Sequence, residues 1–181
     1  MKKILIILVV LVLLGVGGYF LYTYLTYDEY ENVEITANEI YEKVLESDYQ
    51  DLGSIADNIP TLLTLDATQI ANEKTYGIDV NLLESYEIGV ALMDIRSTEF
   101  AVVKVKDEKD VDMIKEKFTK RAKNISLDFI DTLEDQYELA KNASIFSRGP
   151  YVAMIISDVS DEMIGTFNLL LDNALKLNEK K

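Results

Sequence analysis

Residues 86–105 read YEIGVALMDIRSTEFAVVKV, and their hydrophobic pattern predicts the two strands of a β-hairpin. Apolar side chains occupy every second position at 86–92 and again at 101–105. A period of two places successive side chains on opposite faces of a strand. The connection through Arg96 and Ser97 is short enough for the two strands to lie antiparallel.

The segment after this hairpin predicts the clearest helix of the chain. Its apolar residues are three or four positions apart, which aligns them in one narrow stripe. The stripe consists of Val111, Ile114, Phe118, Ala122, Ile125 and Phe129. Lysines lie on the opposite side, so we expect the stripe to be buried. A shorter helix is predicted over residues 133–141, with Asn142 near its end.

A second strand pair is predicted at 144–148 and 151–157, with its turn at Gly149-Pro150. Pro150 fits the start of a strand, where the ladder needs no N–H group. Ser160 is then expected to cap a last helix, since Asp161 and Glu162 in a first turn are favourable at the positive helix end.

Helix signals also precede the first hairpin. Thr36 with Glu39 has the spacing of a capping box, and the helix that follows should end near Ser47. Asp66 is expected to cap a second helix that stops at Gly77, because glycine is a common left-handed terminator.

The order of these elements predicts an α+β fold. We expect a four-stranded, largely antiparallel sheet in ββαββα order, with helices packed on one face and a helical pair before it. Some apolar side chains then fall on the opposite strand face, namely Phe100, Val102, Met93 and Ile95. Either the preceding helices or a partner must cover them.

Composition excludes several chemistries. The 181 residues include 32 acids and 18 bases, for a net charge of -14, and contain no His and no Cys. Serine–histidine and cysteine–histidine nucleophiles, disulfides and the usual zinc sites are therefore excluded. The acidic character argues against nucleic acid as a partner. Asp107, Asp110 and Asp112 lack the spacing of a calcium loop, so we expect no metal and no cofactor.

The N-terminal segment predicts membrane attachment. Residues 4–25 carry no charge and follow Lys2 and Lys3, whereas all 32 acids come later. Twenty-two helical residues reach about 33 Å, enough to span a bilayer. The positive-inside rule puts the N-terminus in the cytoplasm and the rest outside the cell membrane. We thus divide the chain into an anchor (1–25), a tether (26–35) and an exterior domain (36–181). A signal peptide cleaved before Tyr19 is the alternative.

Several motifs resemble a family known as a domain of unknown function. They are YGID at 76–79, STEFAVVKVKD at 97–107, QYELAKNA at 136–143 and GPYVAMIIS from Gly149. The resemblance runs from about residue 41 to residue 175. It implies a small α+β domain of Gram-positive anaerobes, exported on one N-terminal anchor or lipid, and it implies no activity.

Five residues are our candidates for binding: Tyr76, Asp79, Glu99, Lys104 and Lys106. We expect their side chains to be exposed. Each also has a structural interpretation. Asp79 suits a helix cap or turn, and Glu99 suits a cross-strand partner for Arg96. Lys104 and Lys106 are expected on the outward face of their strand, where charge guards an edge.

The sequence favours a non-enzymatic binding or accessory module of the bacterial cell envelope. Its expected partner is an envelope protein or a wall component, besides the membrane itself. A small carboxylate-dependent hydrolase acting on wall material is the alternative, since paired acids can perform such chemistry. A structural spacer is the third hypothesis.

Overall fold

The computed structural model describes residue 30, residues 33–49 and residues 53–178. The helices are α1 (Ala37–Glu46), α2 (Ile55–Asn58), α3 (Ala67–Ala71), α4 (Val111–Phe129), α5 (Glu134–Lys141) and α6 (Ser160–Asn178). The strands are β1 (Asp48–Tyr49), β2 (Gly53–Ser54), β3 (Leu62–Thr64), β4 (Leu83–Ala91), β5 (Glu99–Val105), β6 (Ser144–Arg148) and β7 (Tyr151–Ile156). The anchor predicted at 4–25 lies outside the described residues. Within them, no helix combines the length and apolar character needed to span a bilayer.

The main sheet is antiparallel and has five strands in the order β3-β4-β5-β7-β6. Both predicted hairpins are present, β4 with β5 and β6 with β7. The prediction of four strands is wrong by one, because β3 pairs with β4 through Leu63 and Val90. A strand of three residues is too short for alternation to reveal it. β1 and β2 form a separate pair.

Helices cover both faces of the sheet, so the prediction of helices on one face is also wrong. On what we name the first face, Ala101 and Val103 of β5 pack in one core with α4 and α5. On the second face, Phe100 and Val102 pack in another core with α1 and α6. All seven residues of β5 are buried, as expected for a strand enclosed from both sides. Met93 and Ile95 lie outside these cores and are exposed.

The second-face core begins before α1. Val33 and Ile35 are buried, so the end of the segment predicted as a tether belongs to the folded domain. The hydroxyl of Tyr151 lies 3.0 Å from the Val33 carbonyl oxygen and 2.7 Å from that of Ile35. Lys104 Nζ donates to the same Val33 oxygen at 3.1 Å. The chain therefore enters the domain at the end of the sheet where β5 finishes.

Local signals were reliable at several helix ends. The capping box of Thr36 and Glu39 is present, and α1 ends at Glu46 with Ser47 as its C-cap, which confirms the predicted end near Ser47. Asp66 caps α3, but α3 stops at Ala71 and does not continue to Gly77. Asn72 accounts for the stop, because its side chain accepts a hydrogen bond from the Lys74 N–H and favours a turn. α6 begins at Ser160 itself.

Candidate functional site

A buried ionic cluster lies between α4 and the start of β5. Arg121 Nη2 donates to Glu99 Oε2 at 2.8 Å, and Arg121 Nε donates to Glu99 Oε1 at 3.0 Å. The hydroxyl of Tyr76 also donates to Glu99 Oε1. Both carboxylate oxygens are therefore engaged, in the two-point geometry that makes arginine–carboxylate pairs strong.

The fold brings these residues together from three distant elements. Glu99 opens β5 and shares the first face with Ala101, so its side chain points toward α4. Arg121 lies beside the buried stripe of α4. Tyr76 precedes Gly77, whose positive φ of 60° turns the chain. The Tyr76 ring meets the Phe118 ring edge-on, with ring centres 5.6 Å apart. The Arg121 guanidinium lies 5.5 Å from the Tyr76 ring centre.

The cluster has little capacity for proton transfer near neutral pH. Burial raises the pKa of Tyr76 well above its usual range, and the negative charge of Glu99 raises it further. Burial alone would lower the pKa of Arg121, but the hydrogen bonds and charge of Glu99 outweigh burial and raise it. Tyr76 thus stays a neutral donor and Arg121 stays charged, which suits a structural cluster.

A cavity of about 410 Å³ opens over this cluster. Glu99 and Arg121 lie on its wall together with Ile125 and Phe129, and Asp94 and Asp128 contribute carboxylates. A second cavity, of about 400 Å³, lies on the other side of the β4–β5 loop, which comprises residues 92–98. Met93, Arg96 and Thr98 line both cavities, so the loop forms the wall between them.

The β4–β5 loop has a fixed base and an apolar outer surface. The Ser97 N–H donates to Gln136 Oε1 at 2.9 Å, and the Ser97 hydroxyl donates to the Gln136 carbonyl oxygen at 3.0 Å. Leu92 N–H donates to the Thr61 carbonyl oxygen at 3.0 Å. Beyond these bonds the side chains of Leu92, Met93 and Ile95 are 61%, 51% and 60% exposed. We name the loop and its two cavities the loop surface.

Tyr76 and Glu99, two of the five predicted binding residues, meet in the cluster. Their predicted exposure is wrong, because both are buried. The partner of Glu99 is Arg121 rather than Arg96. Sequence reasoning missed this role of Arg121, although one signal was present. Glu99 alternates in step with Ala101 and Val103, so it shares the buried face of the strand. A charge on that face requires a buried partner.

Lys104 lies near the opposite end of β5, about 17 Å from Glu99 at roughly 3.3 Å per residue, with Lys106 just beyond the strand. Asp79 follows Tyr76 by three residues. Lys104 is buried, contrary to prediction, because the segment at Val33 covers it and Glu84 pairs with it at 2.9 Å. Asp79 and Lys106 are exposed as predicted. Asp79 accepts a hydrogen bond from the Asn81 N–H, and Lys106 donates to the Asn81 carbonyl oxygen.

The acidic run at Asp107 is a local cap. Asp107 accepts a hydrogen bond from the Lys109 N–H, which opens a short 3-10 helix before α4. Among the described residues, no group of three or more carboxylate side chains is placed to hold a metal ion.

Comparisons with known proteins point to one family. Neither the curated proteins nor the solved structures gave a match. The family described as a domain of unknown function (DUF4358) matches residues 58–157. This range contains the whole five-stranded sheet, the ionic cluster and the β4–β5 loop, whereas α1 and α6 lie outside it. Since the match covers more than half of the chain, the protein belongs to the DUF4358 family, a domain of unknown function.

Proposed function

We propose that this protein is a membrane-anchored, extracytoplasmic binding module of the bacterial cell envelope, and that the loop surface is where it recognises a partner protein. The observation that carries the proposal is the β4–β5 loop. Three large apolar side chains are at least half exposed on a loop whose base is fixed by Gln136. The proposal assigns no catalytic step to the protein.

Apolar side chains clustered at a loop tip support binding. Such side chains gain free energy when a partner removes them from water, and contiguous apolar patches commonly mark interaction sites. Fixing the base lowers the entropy that binding would otherwise cost. The adjoining cavities add concave surface for partner side chains.

The charges around the first cavity indicate the chemistry of the partner. Asp94 and Asp128 form no ion pair with any described residue, and Arg96 is the exposed base beside them. Two acids against one base favour a partner contact that combines apolar side chains with net positive charge.

The path of the chain supports a partner located away from the bilayer. Val33 lies at the Lys104 end of β5, whereas the loop precedes Glu99 at the other end. With residues 4–25 as the anchor, the loop surface is at the end of the sheet remote from the point of chain entry. This favours a protein of the envelope over lipid headgroups.

Site-directed photocrosslinking tests the proposal. Benzoylphenylalanine at position 95 of the full-length protein in intact cells should yield one discrete crosslinked protein. The matched control is position 169, because Leu169 on α6 is 57% exposed, close to the 60% of Ile95. A discrete product from position 95 that Met93→Asp abolishes is expected. Equal products from both positions, or none from position 95, would favour the spacer hypothesis instead.

A separate experiment tests the location. Protease added to whole cells should degrade the domain, and intact mass of the membrane-extracted protein should include residues 1–25. A domain that is protected until the cells are opened would contradict the extracytoplasmic assignment, and loss of the N-terminal residues would indicate a cleaved signal peptide.

A carboxylate-dependent hydrolase acting on wall material is the second candidate, because three carboxylates line the first cavity. Both oxygens of Glu99 already accept bonds from Arg121 and Tyr76, so neither is free to contact a substrate. Chemistry would therefore fall to Asp94 and Asp128. Release of soluble wall fragments by the wild type but not by the Asp94→Asn/Asp128→Asn variant would establish this function over the first.

A further inference from the structure

We infer that the outer edge of β6 is a second interaction surface, which binds an extended acidic segment of another protein by strand addition. This surface is separate from the loop surface. It combines backbone groups that no described residue pairs with, an apolar groove and two lysines.

The backbone groups follow from the geometry of the second hairpin. β6 is the last strand of the sheet, and Gly149 and Pro150 form its two-residue turn, with Gly149 at φ 52°. In such a hairpin the closing pair, here Arg148 and Tyr151, exchanges hydrogen bonds, and bonded residues then alternate along the strand. The N–H and C=O groups of Ile145 and Ser147 therefore point away from β7.

Nothing in the described part of the chain takes up these groups. No backbone hydrogen bond joins Ile145 or Ser147 to a described residue beyond the ladder with β7. Edge strands are commonly blocked by proline, by a bulge or by inward-pointing charge. The sequence of β6, SIFSR, has no proline, and its one charge is at Arg148, the last residue. The opposite edge strand, β3, has only three residues.

An apolar groove of about 230 Å³ runs beside this edge on the first face. Three small side chains line it: Ala122 on α4, Ala140 on α5 and Ala143 just before β6. Ile145 lines it from the strand. In an added strand, alternate side chains face the same side of the sheet. One apolar side chain of the incoming segment would therefore enter the groove, and its neighbours two residues away would lie at the groove's ends.

Lysines make the groove complementary to acidic residues. Lys123 and Lys141 line it. Lys123 is exposed and has no ion pair among the described residues, and Lys141 pairs only with the exposed Glu138. Lys117, Lys120 and Arg121 of the same helix already pair with Glu73 or Glu99. A second copy is a poorer occupant, because edge-to-edge pairing would bring its own two lysines to the same face.

Two synthetic peptides test the inference: a nine-residue peptide with glutamate, valine and glutamate at positions 3, 5 and 7, which share one strand face, and threonine elsewhere, and its counterpart with lysine at positions 3 and 7. Each is added to full-length protein in detergent micelles. The glutamate peptide should bind and slow amide hydrogen exchange at Ile145 and Ser147 at least tenfold, with little change at Phe146, whose N–H already bonds to β7. The lysine peptide should bind at least tenfold more weakly. Equal binding of both peptides, or protection elsewhere, would overturn the inference.

Three variants sharpen the test. Ser147→Pro removes an N–H group that points away from β7 and leaves the ladder with β7 intact. It should therefore weaken binding of the glutamate peptide at least tenfold. Lys123→Glu should weaken binding of the same peptide about fivefold or more. This second variant keeps the inference testable even where the proline variant fails to fold. Lys43→Glu, an exposed lysine on α1, is the control and should bind like the wild type. Unchanged binding by Lys123→Glu, or a wild-type dimer that Ser147→Pro dissociates, would also overturn it.

Discussion

Arg121 is the residue that makes a buried carboxylate tolerable at the start of β5. The Glu99 side chain is 3% exposed, and both its oxygens depend on donors from Arg121 and Tyr76. Removing one partner of such a pair leaves an uncompensated charge, which costs far more than the pair itself contributes. The cluster therefore holds α4 against the sheet beneath the first cavity.

We predict that Arg121→Met lowers the free energy of unfolding by about 3–5 kcal/mol. Urea denaturation at pH 7 measures this change. The double variant Glu99→Gln/Arg121→Met should recover a substantial part of the loss, because it removes the orphaned charge. A double variant as unstable as the sum of the two single variants would show that the residues are not coupled.

Gln136 has the corresponding role for the β4–β5 loop. We predict that Gln136→Ala lowers the free energy of unfolding by about 1–3 kcal/mol, since the buried Ser97 N–H loses its acceptor. Amide exchange of loop residues should accelerate more than exchange in β6. Gln69→Ala, which removes an exposed capping side chain on α3, is the control and should leave the loop unaffected. Equal acceleration of loop and β6 would indicate global destabilisation only.

At the scale of elements, α1 lies on the sheet only because β4 has a glycine beneath it. A Cβ built on Gly89 would collide with the Tyr41 hydroxyl. The Tyr41 ring cannot easily move, since it stacks on Phe100 with ring centres 4.8 Å apart and is 6% exposed. The close approach of α1 to β4 therefore requires this glycine.

We predict that Gly89→Ala costs about 1–3 kcal/mol of stability through this overpacking. Thermal and urea unfolding of four proteins test it: wild type, Gly89→Ala, Tyr41→Phe and the double variant. The alanine should cost less in the Tyr41→Phe background, where the colliding oxygen is absent. An equal cost in both backgrounds would place the strain elsewhere, such as at Leu62.

The elements that sequence predicted correctly are those with strong local signals. The apolar stripe predicted both ends of helix α4 correctly, and Gly149-Pro150 predicted the turn between β6 and β7. β3 was missed because three residues show no period. The second-face core was predicted only as one of two alternatives, preceding helices or a partner, because a strand's own sequence does not specify what covers it.

The candidate site was predicted only in part, for a reason that belongs to the whole molecule. Motifs drew attention to Tyr76 and Glu99, but the contact with Arg121 spans 22 residues and depends on how α4 packs. Lys104 was assigned to an outward face because it alternates with the apolar residues Val103 and Val105. In the structure β5 is central, and the segment at Val33 covers that side chain.

For the molecule as a whole we predict loss of stability at alkaline pH. Burial raises the pKa of Tyr76, Tyr41 and Tyr151, with added contributions from the charges of Glu99, Glu87 and Glu84 respectively. In the unfolded chain tyrosine deprotonates near pH 10, whereas the folded protein retains these protons. The raised tyrosine pKa values therefore contribute their full stabilisation below about pH 10. This contribution is lost as the pH rises from about 10 through the raised pKa values of the folded protein.

The slope should reach at most about 4 kcal/mol per pH unit, from roughly 1.4 for each tyrosine. Urea unfolding at pH 9, 10 and 11 measures it. Tyr41→Phe should show a shallower slope above pH 10 than the wild type. Stability that stays constant to pH 11 would contradict the prediction.

The attachment of Val33 at one end of the central strands has a mechanical consequence. Lys104 and Tyr151 hold the incoming chain at that end, while the β4–β5 loop emerges at the other. If residues 4–25 anchor the protein and the loop surface binds a partner, as we propose, a tensile load between the two would run along these central strands. Because the ladder bonds are perpendicular to the strands, a load along the strands would not unzip these bonds one at a time. We expect a module with this geometry to resist extraction by force better than its equilibrium stability alone would indicate.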